Sequence, residues 1–152
     1  MAISTADEDA FREVKRSFPL LSYGGSQLTS AVDPRYNCIA WAAGEKTRFW
    51  WPNGPYWPGG IPKDSSVSSF IQAYQRLNYT ECDSREPEQG VEKIALYVNS
   101  SYKVTHAARQ LPSGLWTSKL GKSVDISHEL ISLEGSVYGK VATILKRSVQ
   151  AR

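Results

Sequence analysis

The chain is poor in the residues that would announce a function outright. Its 152 residues include two cysteines, Cys38 and Cys82, and two histidines, His106 and His128. Two cysteines are too few for a zinc site, and in a reducing compartment they do not form a structural disulfide. No metal and no cofactor is expected. No apolar run approaches the roughly 18 to 20 residues that span a bilayer. The N-terminus, MAISTADEDAFREVKR, lacks the basic and apolar regions of a signal peptide. These absences predict a cytoplasmic chain with no membrane partner. A net charge of +3 is too small to imply a nucleic-acid partner. Repeats, linkers and a second composition are also missing, so residues 1–152 read as a single domain. With 41% hydrophobic and 22% charged residues, that domain can bury one core.

What is present centres on Asn37-Cys38-Ile39-Ala40-Trp41-Ala42-Ala43-Gly44. Asp33-Pro34-Arg35-Tyr36 before it is turn chemistry. Asn37 is a good N-cap and Gly44 a good stop, so Cys38 is predicted as the first residue of a short apolar helix. There the unpaired backbone N–H groups and the helix dipole favour a thiolate. Asn37 is also a candidate oxyanion donor.

The remaining chain reads as alternating elements around that turn. Ala6–Phe18 has helical spacing of Phe11, Val14 and Phe18, with Thr5 as its cap. Gln27–Ala31 is a short extended piece. Arg48–Gly60 holds Trp50, Trp51, Tyr56 and Trp57 among prolines and glycines, which predicts a structured loop. Its rings either form a satellite cluster or line a substrate cleft. Asp64 is predicted to cap a helix over Ser65–Leu77, and Asn78–Gly90, with Cys82, reads as loop. Glu92–Val98 has the apolar centre of an interior strand, followed by strands over Tyr102–Leu111 and Leu115–Leu120. Asp125 is predicted to cap a helix running to Glu134, and Val137–Leu145 mildly favours a strand.

A helix-borne cysteine and a later strand-borne histidine are the parts of a Cys–His hydrolase. His106 is preferred over His128 as the base, because it sits mid-strand beside the small Ala107 and Ala108. His128, in the first turns of a surface helix, is expected to be solvated. Asp125 is the expected orienter of the imidazole, with Ser118 or Lys119 facing the His106 strand according to a register the sequence does not fix. Trp50, Trp51, Tyr56, Trp57 and Trp116, with Asn37, are the expected substrate-binding residues.

Taken together, YNCIAWA, WWP, YWP, KIALY, THAARQ and WTSKLG resemble an uncharacterised bacterial domain family over about residues 33–147. More distantly, the order of elements looks like the papain-like superfamily with its cell-wall amidase and transglutaminase-like branches. That resemblance implies an α+β fold, with N-terminal helices packed on a small antiparallel sheet. It also implies Cys38 facing His106 across a cleft. The leading expectation is therefore a cysteine hydrolase or acyltransferase acting on a peptide, amide or thioester. A second expectation is a non-enzymatic module that uses the Trp-rich loop, residues 48–60, to bind a protein, glycan or nucleic acid. A nucleic-acid binder using Arg48, Arg109, Lys119, Lys146 and Arg147 ranks last, because those cations are interspersed with acids.

Overall fold

The run Ile94-Ala95-Leu96-Tyr97-Val98 is fully buried, which requires cover on both faces of the strand that carries it. The computed structural model, which describes residues 2–149, supplies that cover from helices on each side of one sheet. In chain order the elements are α1 (Thr5–Ser17), a 3₁₀ turn (Pro19–Ser22), β1 (Gln27–Ser30), α2 (Cys38–Ala42) and α3 (Val67–Gln75). There follow β2 (Thr80–Cys82), β3 (Val91–Val98), β4 (Val104–Gln110), β5 (Trp116–Lys119), β6 (Asp125–His128), a second 3₁₀ turn (Leu130–Leu133) and β7 (Lys140–Ser148). The seven strands form one antiparallel sheet in the order β1-β6-β5-β4-β3-β7-β2. No helix among the described residues is long and apolar enough to cross a membrane.

Strand alternation divides the core in two. Ile94, Leu96 and Val98 of β3, with Ala107 of β4, pack under α2 and α3 through Ile39, Phe70 and Tyr74. Ala95, Tyr97 and Ala108 point the other way, toward Phe11 and Val14 of α1, Phe18 between α1 and the first 3₁₀ turn, and Leu130 and Leu133 of the second turn. Each large apolar side chain buried in this way contributes about 1.5–3 kcal/mol. The fold is thus α+β, as expected. Its helices do not form one N-terminal layer, because β1 separates α1 from α2 and the two lie on opposite faces of the sheet.

Two helices begin where caps exist, each slightly off the expected residue. Ser4 rather than Thr5 caps α1, in a capping box with Asp7. Ser66 caps α3, and Asp64 instead accepts the Ser66 and Ser69 hydroxyls at 2.6 Å each. The larger correction concerns residues 125–134, which are not a helix. Asp125–His128 pairs with both β5 and β1, and the helix-like leucine spacing that follows makes only the second 3₁₀ turn. Pairing on two sides overrides local propensity here. His128 is consequently fully buried instead of solvated. Residues 80–82, expected as loop, form the short edge strand β2 against β7.

Candidate active site

Asn37 shapes the surroundings of Cys38. Its Oδ1 accepts the Ala40 N–H at 3.2 Å, which caps α2, and the Trp50 N–H at 3.1 Å. Its Nδ2 donates to the Trp50 carbonyl at 2.7 Å. One amide therefore fixes both the start of the thiol helix and the start of the Trp-rich loop. Trp50 is buried, and Trp51 and Trp57 pack edge-on against Phe70 with centroids 5.5 and 5.0 Å away. Tyr56 lies under the Arg48 guanidinium at 3.5 Å. These rings close the core over α3. Trp116 belongs to the opposite face of the sheet, with α1.

Cys38 does begin α2, but burial decides its ionisation. The residue is 7% exposed, and desolvation pushes the thiol up to about 11. The N–H groups of Ala107, Ile39 and Cys38 itself oppose that rise without cancelling it. A five-residue helix contributes too little dipole to reverse the balance. The resting site therefore holds a neutral thiol.

Asp125 shares the face of α2 but does not reach His106. Its Oδ2 accepts from the Tyr36 hydroxyl, and its Oδ1 makes no close hydrogen bond among the described residues, with the Ser30 side chain nearby. Burial pushes its carboxyl up, against the pull of Tyr36 and Lys119. Opposite Asp125 in the ladder, the buried Lys119 donates to the Gly121 carbonyl at 2.7 Å and lies 4.8 Å from the Tyr36 ring.

His106 sits on the far face. Its ring stacks on Tyr138 at 4.0 Å and meets Tyr97 edge-on at 5.2 Å. Its Nε2 lies 2.9 Å from Ser118 Oγ, which lies 2.7 Å from His128 Nε2. His128 Nδ1 is 2.7 Å from the Glu129 carbonyl. A carbonyl only accepts, so this row has one consistent protonation pattern when both rings are neutral. His128 carries its proton on Nδ1, its Nε2 accepts from the Ser118 hydroxyl, and Ser118 Oγ accepts from His106 Nε2–H. That leaves His106 Nδ1 as a bare lone pair. The atom is buried and has no hydrogen-bond partner.

Cys38 and His106 do not face each other across a cleft as expected. Strand parity puts the thiol on the α2 face and the ring on the opposite one, and no hydrogen bond joins them, yet both arrive at the same stretch of β4. The β4–β5 ladder covers only Arg109–Thr117 and Gln110–Trp116. Between Ala107 and Lys119 the two strands are unpaired, and Cys38 Sγ lies against the Ala107 N–H, one peptide from His106. Tyr138, whose ring covers His106, is close enough to Cys38 for a thiolate to oppose its ionisation, second to the effect of burial.

The chain belongs to the family described as Domain of unknown function (DUF7689), whose model matches residues 27–146. No curated protein and no solved structure gives a match. The DUF7689 span opens at β1 and closes within β7, so it contains Cys38, His106, Ser118 and His128 but not α1. Ser118 had been one of two register-dependent alternatives from sequence. His128 is not legible as its neighbour from sequence, because only the strand pairing of 125–128 puts it on the Ser118 side.

Two sealed neutral imidazoles make the DUF7689 fold acid-sensitive. Burial holds His128 down to about 4 and pushes His106 lower than its ordinary value. The unfolded chain takes up these protons near pH 6.5 while the folded chain does not, so stability falls as pH drops below 6.5. His128 alone should remove about 2 kcal/mol between pH 7.5 and pH 5. Urea titrations at those two pH values measure it, and Ser118→Ala/His128→Phe protein should lose less.

The cations considered for nucleic-acid binding are largely engaged within the fold. Arg48 pairs with Glu45 at 2.8 Å, Arg147 pairs with Glu92 at 2.8 Å, and Lys119 is buried.

Proposed function

We propose that this chain is a small cysteine acyltransferase or hydrolase in which Cys38 is the nucleophile and His106 its base, the proton passing from the thiol to Nδ1 through the unpaired gap between β4 and β5. The observation that carries the reading is the bare, buried Nδ1, whose tautomer the Ser118–His128 row imposes from the other side of the ring. An unpaired acceptor in a core is destabilising by about 1–3 kcal/mol, and such a feature calls for a use. The arrangement resembles the papain-like plan, with a helix-borne thiol, a strand-borne imidazole and a third group on the far ring nitrogen. Here the Ser118 hydroxyl takes the third position in place of Asp125.

In the proposed reaction the Cys38 S–H proton passes to His106 Nδ1 as sulfur attacks the carbonyl carbon of an amide or thioester. The carbonyl π electrons move to oxygen, and backbone N–H groups beside Sγ stabilise that oxyanion. The amine or thiol leaves with the proton returned by His106, and sulfur holds the acyl group. Water or another nucleophile then attacks the thioester carbon, again giving its proton to His106, and releases the free thiol. Because the resting thiol is pushed up to about 11, proton transfer accompanies attack instead of preceding it.

Acylation by p-nitrophenyl acetate tests this directly. In Cys82→Ser protein at pH 7.5, intact-mass analysis should find one acetyl group on Cys38, added faster than to the same thiol in the urea-unfolded chain. A merely buried thiol reacts more slowly folded than unfolded. That slower rate would sink the proposal.

A further inference from the structure

Beside the thiol helix, on the same face of the sheet, runs a groove of about 760 Å³. Trp41 forms one wall, Leu111, Pro112 and Val91 another, and Arg109 and Thr117 project from β4 and β5. The size lies within the range of small-molecule sites, and a mainly apolar lining with a few polar groups is their usual composition.

Electrostatics select among occupants. The groove contains two carboxylates, Glu88 and Glu92, and both are already matched. Glu88 holds the buried Lys93 ammonium at 2.6 Å. Glu92 takes the Arg147 guanidinium at 2.8 Å, while Arg109 reaches Glu92 only at 3.7 Å. Among the described residues three cations face two carboxylates, and Arg109 is the one with the longest ion pair and no side-chain hydrogen bond. Its guanidinium lies 5.2 Å from the Trp41 ring, on the groove side of the sheet. Trp41 adds a second sign, since its Nε1–H is buried without an acceptor among the described residues. One donor without an acceptor and one cation held only by a long ion pair, with a matched acidic surround, call for an anionic acceptor on an apolar body.

We infer that this groove is the binding site for an apolar molecule bearing a single carboxylate, with the carboxylate at Arg109 and the hydrocarbon along Trp41 toward Cys38. Resting on the thiol reading, the ligand is the acyl portion of the substrate. Arg109 is two residues from Ala107 on the same face of β4, about 7 Å along the strand. The Cys38 sulfur lies at Ala107, so the reacting carbonyl and the carboxylate would be separated by a few carbons.

The test uses octanoate as probe, with octylamine and octanol as matched controls. Indole N–H resonances of ¹⁵N-labelled protein report binding, and Trp41→Phe identifies the Trp41 signal. Octanoate should shift that signal downfield in a saturable manner, octanol should bind at least tenfold more weakly, and octylamine should not bind. Arg109→Gln should weaken octanoate by about tenfold or more, and Arg109→Lys by less. Equal binding of octanol and octanoate would reduce the groove to an apolar slot and overturn the inference. So would the absence of any shift at the Trp41 signal. Cys38→Ser protein should give the same shifts, which keeps this result separate from the fate of the thiol. If octanoate binds while Cys38 fails to acylate, the site stands and the reaction falls. If Cys38 acylates while octanoate leaves Trp41 unmoved, the groove assignment falls alone.

Discussion

His106→Ala should slow acetylation of Cys38 by about 10³-fold at pH 7.5, within the range by which a positioned base accelerates proton transfer. A thiol pushed up to about 11 is almost wholly protonated at that pH, so without the imidazole nothing takes its proton as sulfur attacks. Ser118→Ala should lower the rate less, by about 10²-fold, because Ser118 acts through the ring and not on the thiol. A purely structural role for Ser118 predicts a different pattern, in which stability falls and the tautomer is unchanged. The proposed role predicts that ¹⁵N shifts of His106 report Nε2–H in the native protein and a mixture in Ser118→Ala. Ser118→Thr keeps the hydroxyl and should recover most of the rate. If His106→Ala acylates at the native rate while remaining folded, the imidazole is a packing group and the reaction scheme is wrong.

Gly139→Ala should be among the most damaging single substitutions in the chain. Gly139 has φ of +82°, in the region that favours glycine, and an added Cβ would stand 1.8 Å from the Val98 carbonyl oxygen. That oxygen is backbone on β3, so no side-chain rotation relieves the overlap. The residue also exchanges two hydrogen bonds with Gly135 at 2.9 Å each, and it places Tyr138 over the His106 ring. Relief would require β7 to separate from the end of β3. The expected loss is about 3 kcal/mol or more, or about 10 °C in Tm, together with a weaker hold on His106. Gly25→Ala is the control, because an added Cβ there meets nothing within 4 Å, and its effect should stay within about 0.5 kcal/mol. Thermal melts of the two variants decide the matter.

Periodicity made much of this fold legible. The spacing of Phe11, Val14 and Phe18 gave α1, and the unbroken apolar run of β3 pointed to a strand covered on both faces, as the two clusters show. Asn37 announced α2 through its capping chemistry, and it does cap that helix. Failure came where the decisive interactions are non-local. Asp125–His128 is four residues long, too short for alternation to outweigh the leucines after it, and only its partners β1 and β5 make it a strand. The neutral state of Cys38 is hidden from sequence for a related reason. Helix position can be read from sequence, but depth beneath α3 and the Trp-rich loop cannot, and depth governs the thiol. Ser118 stays undecided against Lys119 while the register is unknown, and His128 is hidden by the misread element that carries it.

The double clasp of the Asn37 side chain on Trp50 has a consequence for the segment between them. An amide that gives and takes a hydrogen bond with one backbone residue acts as a miniature strand partner, so residues 37 and 50 are held whatever lies between. The stretch Gly44–Arg48 is thus part of a closed loop, tied once more from inside by Glu45, which accepts from the Trp50 indole and pairs with Arg48, and its free turn is Lys46-Thr47. Lengthening such a loop raises its closure entropy only logarithmically, by about 0.6 kcal/mol per doubling. Variation in length can therefore collect there without disturbing the geometry around the sulfur.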